Sequence, residues 1–292
     1  SYPWLQPECA APLARVPPPP LLSPRSSSLA RSHPDPHGTT LKLLAAVLEK
    51  FVEAWGGTYA VFLDFVSLMQ KDAAGKRTDA EAKLFGTALG GLPELYSHPH
   101  TFILKVTSLP EGYPKGFVFP EGVHANQASY YDRGWCFCES SMGNLVKSSS
   151  KVLDLAKFSG TKEDLLYVID ECKAGRPPPL APSRFKALLE DKSFTSKKAD
   201  LATVGGLYEA AFEQRVAEAE ELNYWDLGWT DEDVKVLCEA LGAAKSLKEL
   251  SLGRNAIGDE GVAALAAALR DGKAPNLERI SLYENPASEA AK

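Results

Sequence analysis

The apolar positions after residue 38 alternate between helical and strand spacing. Leucines, valines and a phenylalanine recur every three or four residues over 41–52, which predicts an amphipathic helix. A nearly continuous apolar run over 59–65 follows and predicts a strand that is buried on both faces. Shorter strands are predicted at 101–106 and 151–155, and further helices at 79–96, 134–146 and 162–173. Strands that alternate with helices predict crossover connections and an open parallel α/β sheet with helices on both faces.

The C-terminal part carries a different pattern, in which a leucine motif repeats. The two clear copies are Leu247-x-x-Leu250-x-Leu252-x-x-Asn255 and Leu277-x-x-Ile280-x-Leu282-x-x-Asn285. A predicted helix at 259–269 separates them, and a degenerate earlier copy with Leu222, Trp225 and Leu227 precedes the helical segment 231–241. In such a unit the leucines point inward from a short strand, the asparagine bonds the turn backbone, and stacking completes the core.

This C-terminal pattern resembles the ribonuclease-inhibitor type of leucine-rich repeat over about residues 220–292. The resemblance implies a short solenoid that recognises a protein ligand. From its geometry we expect the partner to contact the outward side chains Ser251, Arg254, Ser281 and Tyr283. Because no polar capping repeat follows Asn285, we expect an array that is truncated or unusually short.

Proline-rich segments suggest how the chain divides. Residues 9–32 contain a run of four prolines and a run of three serines, which predicts a disordered insert. A Gly-Arg-Pro-Pro-Pro sequence at 175–179 marks a second boundary. The predicted organisation is an α/β domain (1–8 and 33–173), the insert (9–32), a helical linker (174–220) and the repeats (221–292).

Six side chains in the first half form the candidate ligand site. They follow the predicted strand 59–65 or surround the start of the predicted helix 134–146, and they are Asp64, Ser67, Gln70, Arg133, Trp135 and Glu139. Ligands of open parallel sheets bind at the carboxyl ends of the strands. We therefore expect Asp64 and Glu139 to converge at one edge of the sheet.

The spacing of these residues carries a second resemblance. Asp64-x-x-Ser67-x-x-Gln70 after a strand resembles the motif of fungal heterokaryon-incompatibility domains, whose later signature is an Arg-Gly-Trp run that ends in Glu. Those domains are relatives of Toll/interleukin-receptor (TIR) domains, in which a Trp-Cys-x-x-Glu motif opens the third helix, as it does at Trp135 and Glu139. The resemblance implies a TIR-like domain with flavodoxin-like strand order over residues 1–8 and 33–173.

Two functions follow from the TIR-like resemblance. The first is an intracellular signalling or recognition protein, in which a self-associating TIR-like domain is joined to ligand-binding repeats. The alternative is an NAD hydrolase, because the matching glutamate is catalytic in NAD-cleaving TIR members; Glu139 is then catalytic, the other five side chains bind the ligand, and NAD is the substrate. A structural role stays open for each residue: Glu139 also suits a helix amino end, and Trp135 also suits a core anchor.

Composition limits the partner and the compartment. A net charge of −6 gives no general attraction to nucleic acid or to anionic membranes. The five scattered cysteines do not suggest a disulfide framework, which favours a reducing compartment and a cytoplasmic location. Cys136-x-Cys138 and His98-x-His100 lack further ligands at metal-site spacing, so we expect no metal and no cofactor.

Overall fold

In the part of the chain that the computed structural model describes, the strands form two small open sheets. The structure describes residues 3–6, 38–63, 67–72, 74–107, 128–160, 164–173, 175–194 and 197–291. The first sheet and its helices comprise β1 Pro3–Gln6, α1 Thr39–Trp55, β2 Ala60–Leu63, α2 Asp79–Ser97, β3 Phe102–Lys105, α3 Gly134–Gly143, β4 Val152–Asp154 and α4 Leu165–Lys173. The rest comprises α5 Pro182–Glu190, α6 Lys197–Glu218, β5 Glu221–Asn223, α7 Asp231–Ala240, β6 Glu249–Ser251, α8 Asp259–Arg270 and β7 Arg279–Ser281. The predicted insert at 9–32 lies outside the described residues.

The first sheet is mixed, which corrects the prediction of an all-parallel sheet. Its strand order is β2-β1-β3-β4, and β3 runs parallel to β4. Strand β1, however, runs antiparallel to both of its neighbours. The order agrees with the first four strands of a flavodoxin-like sheet, but the direction of β1 does not. Apolar runs predict where strands lie and how deeply they are buried, and they contain no information on strand direction.

Burial within this sheet also differs from the prediction for residues 59–65. Strand β2 lies at the edge of the sheet, and Val61 is 42% exposed. Strand β3, by contrast, is buried along its whole length. Its side chains alternate between the two faces of the sheet. Phe102 and Leu104 pack with α1 and α4, and Ile103 packs on the opposite face with α2 and α3.

Close packing of α3 on the sheet depends on a glycine. A methyl group at Gly143 would lie 2.1 Å from the Cδ1 atom of Ile103. A methyl group would fit only if the Ile103 side chain shifted, so Gly143 lets α3 lie close to β3 with Ile103 in its present position. Two of the six predicted site residues, Trp135 and Glu139, lie on this helix, and a third, Arg133, immediately precedes it.

Segment 174–220, predicted to be a linker, contributes to the larger of the two apolar cores. Phe185 of α5 stacks on Tyr208 of α6, with ring centroids 3.8 Å apart, and both rings are buried. The same core includes Cys138 and Met142 of α3 and continues into the second sheet through Leu222. The first sheet, α5, α6 and the C-terminal repeats therefore share one apolar core.

The C-terminal repeats form a parallel sheet in which equivalent residues lie side by side. Leu222 pairs with Leu250, which pairs with Ile280. Leu222 and Leu250 are buried beneath α7 and α8, whereas Ile280 on the last strand is partly exposed. In the degenerate first copy, Leu222 and Leu227 are buried as the motif predicts, Tyr224 and Trp229 are buried as well, and Trp225 is only partly buried.

The two repeat asparagines bond the turns as predicted. The Asn255 Oδ1 atom accepts hydrogen bonds from the backbone N–H groups of Leu227 and Trp229, each at 3.0 Å. Its Nδ2 atom donates to the backbone carbonyls of Tyr224 and Leu252 at 2.9 and 2.8 Å. Asn285 repeats this arrangement one turn later. Each asparagine therefore joins its own turn to the preceding one.

Candidate functional site

The predicted site residues near β2 make local hydrogen bonds. Asp64 lies outside the described residues, so its predicted convergence with Glu139 stays a prediction. The Ser67 Oγ atom accepts a hydrogen bond from the Leu63 N–H at 3.0 Å. The Gln70 side chain is exposed and donates to the Leu68 carbonyl at 3.1 Å.

The predicted site residues at α3 gather near a buried tyrosine. The Arg133 guanidinium lies 5.8 Å from the ring centroid of Tyr130. Glu139 is 6% exposed. Burial raises the pKa of Tyr130 well above its usual value, and the nearby charges of Cys136 and Glu139 raise it further. Trp135 is half-buried and packs against the larger core. The structure thus brings Arg133 and Glu139 to Tyr130, and it gives Trp135 a packing contact.

A polar cluster that the sequence did not predict lies at the carboxyl ends of β3 and β4. The Lys105 side chain is 3% exposed and donates to the Tyr131 hydroxyl at 3.1 Å. Next to it, the Thr107 hydroxyl donates to the Asp154 carboxylate at 2.7 Å. Burial lowers the pKa of Lys105 to about 8, and Asp154 offsets only part of that shift. The feature of the sequence that could have indicated this cluster is a lysine at the end of an apolar run.

The second sheet exposes one face, and small polar side chains form its centre. Asn223, Ser251 and Ser281 lie side by side in the sheet register and point away from the leucines. All three are half-buried. We call this row the polar floor. It includes Ser251 and Ser281, which the sequence predicted to lie on a partner-binding surface.

An aromatic cluster lies at the carboxyl ends of these three strands. Trp225 stacks with Tyr283 at 6.0 Å between ring centroids and an interplanar angle of 17°. Gly253 lies between them in the sheet, and a methyl group there would lie 2.2 Å from the Trp225 ring. The absence of a side chain at Gly253 therefore permits the stack.

An arginine and a glutamate complete this cluster. The Arg254 guanidinium lies 5.7 Å from the centroid of the Trp225 ring, and its Nε atom donates to Glu284 at 2.5 Å. A side-chain hydrogen bond to Glu284 raises the pKa of Tyr283, which is 60% exposed. We call Trp225, Arg254, Tyr283 and Glu284 the aromatic patch.

One comparison with known proteins agrees with this geometry. Residues 243–266 match the family model described as Leucine Rich repeat. The match spans β6 and most of the turn and helix after it, including Asn255. No curated protein and no solved structure matches the chain significantly. A leucine-rich repeat indicates a role in protein interaction or recognition.

Carboxylates line the amino ends of the leucine-rich repeat strands. Glu220 pairs with Lys248 of the next repeat at 2.8 Å, and Glu249 pairs with Arg279. Glu221 and Glu278 are also exposed at these strand ends. We call Glu220, Glu221, Glu249 and Glu278 the acidic row. Glu221 and Glu249 share the face of the polar floor, whereas Glu220 and Glu278 each lie one residue before a strand. The exposed face thus has the acidic row at or next to one end of its strands, the polar floor in the middle and the aromatic patch at the other end.

A buried arginine fixes the first leucine-rich repeat to the α/β part of the chain. Arg176 is 2% exposed and donates to the backbone carbonyls of Lys147 and Ser148 at 2.9 and 3.1 Å. The Arg176 carbonyl accepts a hydrogen bond from the Trp229 indole at 2.7 Å. The Tyr224 hydroxyl donates to the Leu145 carbonyl at 2.5 Å. These bonds hold the exposed repeat face in one orientation relative to the first sheet.

The opposite end of the leucine-rich repeats has an open apolar groove. It lies between α8 and β7 and has a volume of about 510 Å³. Its lining includes Leu265, Leu269, Ile280 and Leu282. Tyr283 and Glu284 also line it, so the groove adjoins the aromatic patch.

Across the described ranges, no helix combines the length and apolar character needed to cross a membrane.

Proposed function

We propose that this chain is a recognition protein that binds a protein partner through the exposed sheet face of its leucine-rich repeats. The aromatic patch is the observation that carries the proposal. Tryptophan, tyrosine and arginine dominate the energetic centres of protein interfaces. Here one residue of each type occupies a single exposed cluster, next to a floor of small polar side chains.

The arrangement of the patch supports the same proposal, because its side chains are ordered by one another. Trp225 rests over Gly253 and stacks on Tyr283, and Glu284 holds both Tyr283 and Arg254. Arg254 and Glu284 both adopt left-handed backbone conformations, with φ of 55° and 52°. A side chain that is ordered before binding loses less conformational entropy on binding, so these contacts yield more affinity.

Photo-crosslinking tests the proposal at single-residue resolution. We place the photoreactive residue p-benzoylphenylalanine at Ser281 of the polar floor or, as a control, at the exposed Gln214 of α6. Light should yield a discrete adduct from position 281 only. The partner is then identified, purified and titrated calorimetrically against the wild-type chain and Tyr283→Ala. A partner that binds both proteins equally contradicts the proposal.

A finer proposal concerns the α/β part of the chain. We propose that it self-associates as a TIR-like signalling domain in the cytoplasm. The Trp135-to-Glu139 spacing and the strand order β2-β1-β3-β4 support it, and the antiparallel β1 counts against it. The free thiols Cys136, Cys138, Cys172 and Cys238 are consistent with a reducing compartment. Concentration-dependent sedimentation of the chain tests this self-association.

The alternative activity is NAD hydrolysis with Glu139 as the catalytic carboxylate. The motif spacing and the burial of Glu139 beside Tyr130 support it, since a carboxylate in a water-poor site stabilises developing positive charge strongly. Purified chain is incubated with NAD and nicotinamide release is followed by chromatography. Release that Glu139→Gln abolishes and the exposed-site control Glu213→Gln preserves supports the activity. No release from concentrated wild-type protein rejects it.

A further inference from the structure

We infer that the segment bound by the leucine-rich repeat face is basic, with lysine or arginine over the acidic row and an aromatic or aliphatic side chain on the aromatic patch. This inference rests on the proposed function, because it names the chemistry of the partner for that same face. Three independent features support it: the charges left over after pairing within the face, the shape of the floor, and the distance between the two ends.

Charge pairing within the face leaves carboxylates over. Lys248, Arg279 and Arg254 each pair with a carboxylate on a neighbouring repeat. Within the described residues, Glu221 and Glu278 make no ion pair within 4 Å and are exposed, although the charge of Glu278 acts on the neighbouring Lys248. A partner therefore meets carboxylates that are free to bind and cations that are already occupied. Lysine and arginine gain new ion pairs on this face, whereas acidic side chains meet repulsion.

The polar floor fits an extended segment. Asn223, Ser251 and Ser281 are short, and they lie between the glutamates of the acidic row and the rings of the aromatic patch. Their hydroxyl and amide groups both donate and accept hydrogen bonds, so they suit the backbone of a bound chain. A helix or a bulky loop gains less from such a floor, because its backbone groups already bond to one another.

The two ends of the face are separated by a distance that a short extended segment can cover. Glu221 begins β5 and Trp225 lies two residues past its end, so the two are separated by at most roughly 13 Å of extended chain. An extended peptide covers the same distance in about four residues. The face therefore selects a basic residue and an apolar residue at that spacing.

A second copy of this chain is a poor occupant for the face. The chain carries a net charge of −6, and the leftover charges of the face are carboxylates. Two copies that meet through this face place like charges together, which costs association free energy. Self-association through this face is accordingly an outcome that the experiment below is designed to detect.

The experiment uses the whole chain and nine-residue peptides. The first peptide has two arginines and a tryptophan four positions further on, within a Gly-Ser backbone; the second keeps this composition with the tryptophan adjacent; the third has glutamates in place of the arginines. Binding is measured by fluorescence anisotropy, and the contacted backbone N–H groups are located by NMR. The variants are Glu221→Lys combined with Glu278→Lys, and the control Glu213→Lys, which changes an exposed carboxylate on α6.

The inference predicts that the first peptide binds most tightly and shifts the N–H signals of Ser251 and Ser281. The double variant should bind it at least about tenfold more weakly, because two attractions become repulsions, and Glu213→Lys should bind it normally. Binding should also weaken as salt is added. Equal binding of the glutamate peptide, equal binding by the double variant, or NMR shifts confined to other surfaces overturns the inference. A dimer in sedimentation that the double variant abolishes overturns it as well.

Failure of this inference is distinguishable from failure of the proposed function. If the crosslinked partner loses affinity with Tyr283→Ala but binds the double variant normally, the face binds a protein and its basic preference is wrong. If the partner binds Tyr283→Ala and the double variant normally, both the proposed function and the inference are wrong.

Discussion

The leucine-rich repeats and the first sheet use the same kinds of element but are organised by different rules. In the repeats, each strand lies beside the next with equivalent residues in register, so position in the motif decides which way a side chain points. In the first sheet, neighbouring strands come from distant parts of the chain, and β1 enters antiparallel between β2 and β3. The surface of a repeated unit can therefore be predicted from the sequence. A site formed by strands that are distant in the sequence can be located only in the three-dimensional structure.

The first test concerns the alternation of buried and exposed positions in the repeats, where we expect the greatest loss of stability. Leu250→Asp places a carboxylate in the buried centre of β6, and Ser251→Asp places the same group one residue later on the exposed face. We expect Leu250→Asp to lower the free energy of unfolding by more than about 4 kcal/mol and Ser251→Asp by less than about 1 kcal/mol. Urea denaturation measures both values. Similar losses would show that neighbouring positions do not alternate between core and surface.

A smaller effect tests how the repeats are joined. Asn255→Ala removes the acceptor for the N–H groups of Leu227 and Trp229 and leaves both buried donors unpaired. We expect a loss of about 2–4 kcal/mol in the free energy of unfolding. The control is Asn276→Ala, which removes one exposed hydrogen bond to the Lys245 carbonyl and should cost under about 1 kcal/mol. Equal costs would mean that the asparagine bonds do not connect the turns.

In the first sheet, by contrast, we expect that replacing the buried Lys105 stabilises the protein. The lowered pKa of Lys105 means that the folded state binds fewer protons than the unfolded state between about pH 8 and the usual lysine value. Below pH 8 the buried charge therefore costs stability, and this cost vanishes as the pH rises through that window. We expect Lys105→Met to raise the free energy of unfolding near pH 7 by up to about 3 kcal/mol.

The pH profile separates this electrostatic cost from a packing effect. The stability gap between Lys105→Met and the wild-type chain should shrink toward zero between about pH 8 and pH 10.5. Asp154, Arg176, Lys157 and Tyr131 surround the amine and are common to both proteins, so the difference isolates Lys105. Lys42→Met, on the exposed side of α1, should show no such trend. A gap that is constant with pH contradicts the assignment.

A fourth test concerns the stack of Trp225 on Tyr283 in the aromatic patch, where we expect only a small loss of stability. Gly253→Ala brings a methyl group against the Trp225 ring and should displace it from Tyr283. We expect a loss of about 1 kcal/mol in the free energy of unfolding, together with a change in tryptophan fluorescence. Gly242→Ala is the control, because no atom lies within 4 Å of the added methyl. An unchanged emission spectrum in Gly253→Ala would contradict the proposed stack.

The sequence predicted much of the repeats because their rules are local. The predicted helix 259–269 corresponds to Asp259–Arg270, and both asparagines bond the turns as expected. The first copy was less well defined by the motif, because it has Leu227 in the place of the asparagine. With that marker absent, the sequence did not show that Tyr224 points inward and Trp225 outward.

The first sheet was predicted less completely because its arrangement depends on distant pairings. Element positions were close, and the predicted helix 79–96 corresponds to Asp79–Ser97. Strand direction and the edge position of β2 were not predictable from apolar runs. Lys105 was missed because a lysine at the end of a strand usually reaches solvent, and only the packing around it shows that it is buried. The convergence of Asp64 with Glu139 stays a prediction.

The proposed protein-binding face has the aromatic patch at its centre. The most direct test is a calorimetric titration of the crosslinked partner against Tyr283→Ala and against Tyr167→Ala, since Tyr167 is an exposed tyrosine of α4 far along the chain from the repeats. We predict at least about tenfold weaker binding for Tyr283→Ala and unchanged binding for Tyr167→Ala. Unchanged binding by Tyr283→Ala, or an equal loss in both variants, would show that the aromatic patch is not the centre of the binding face.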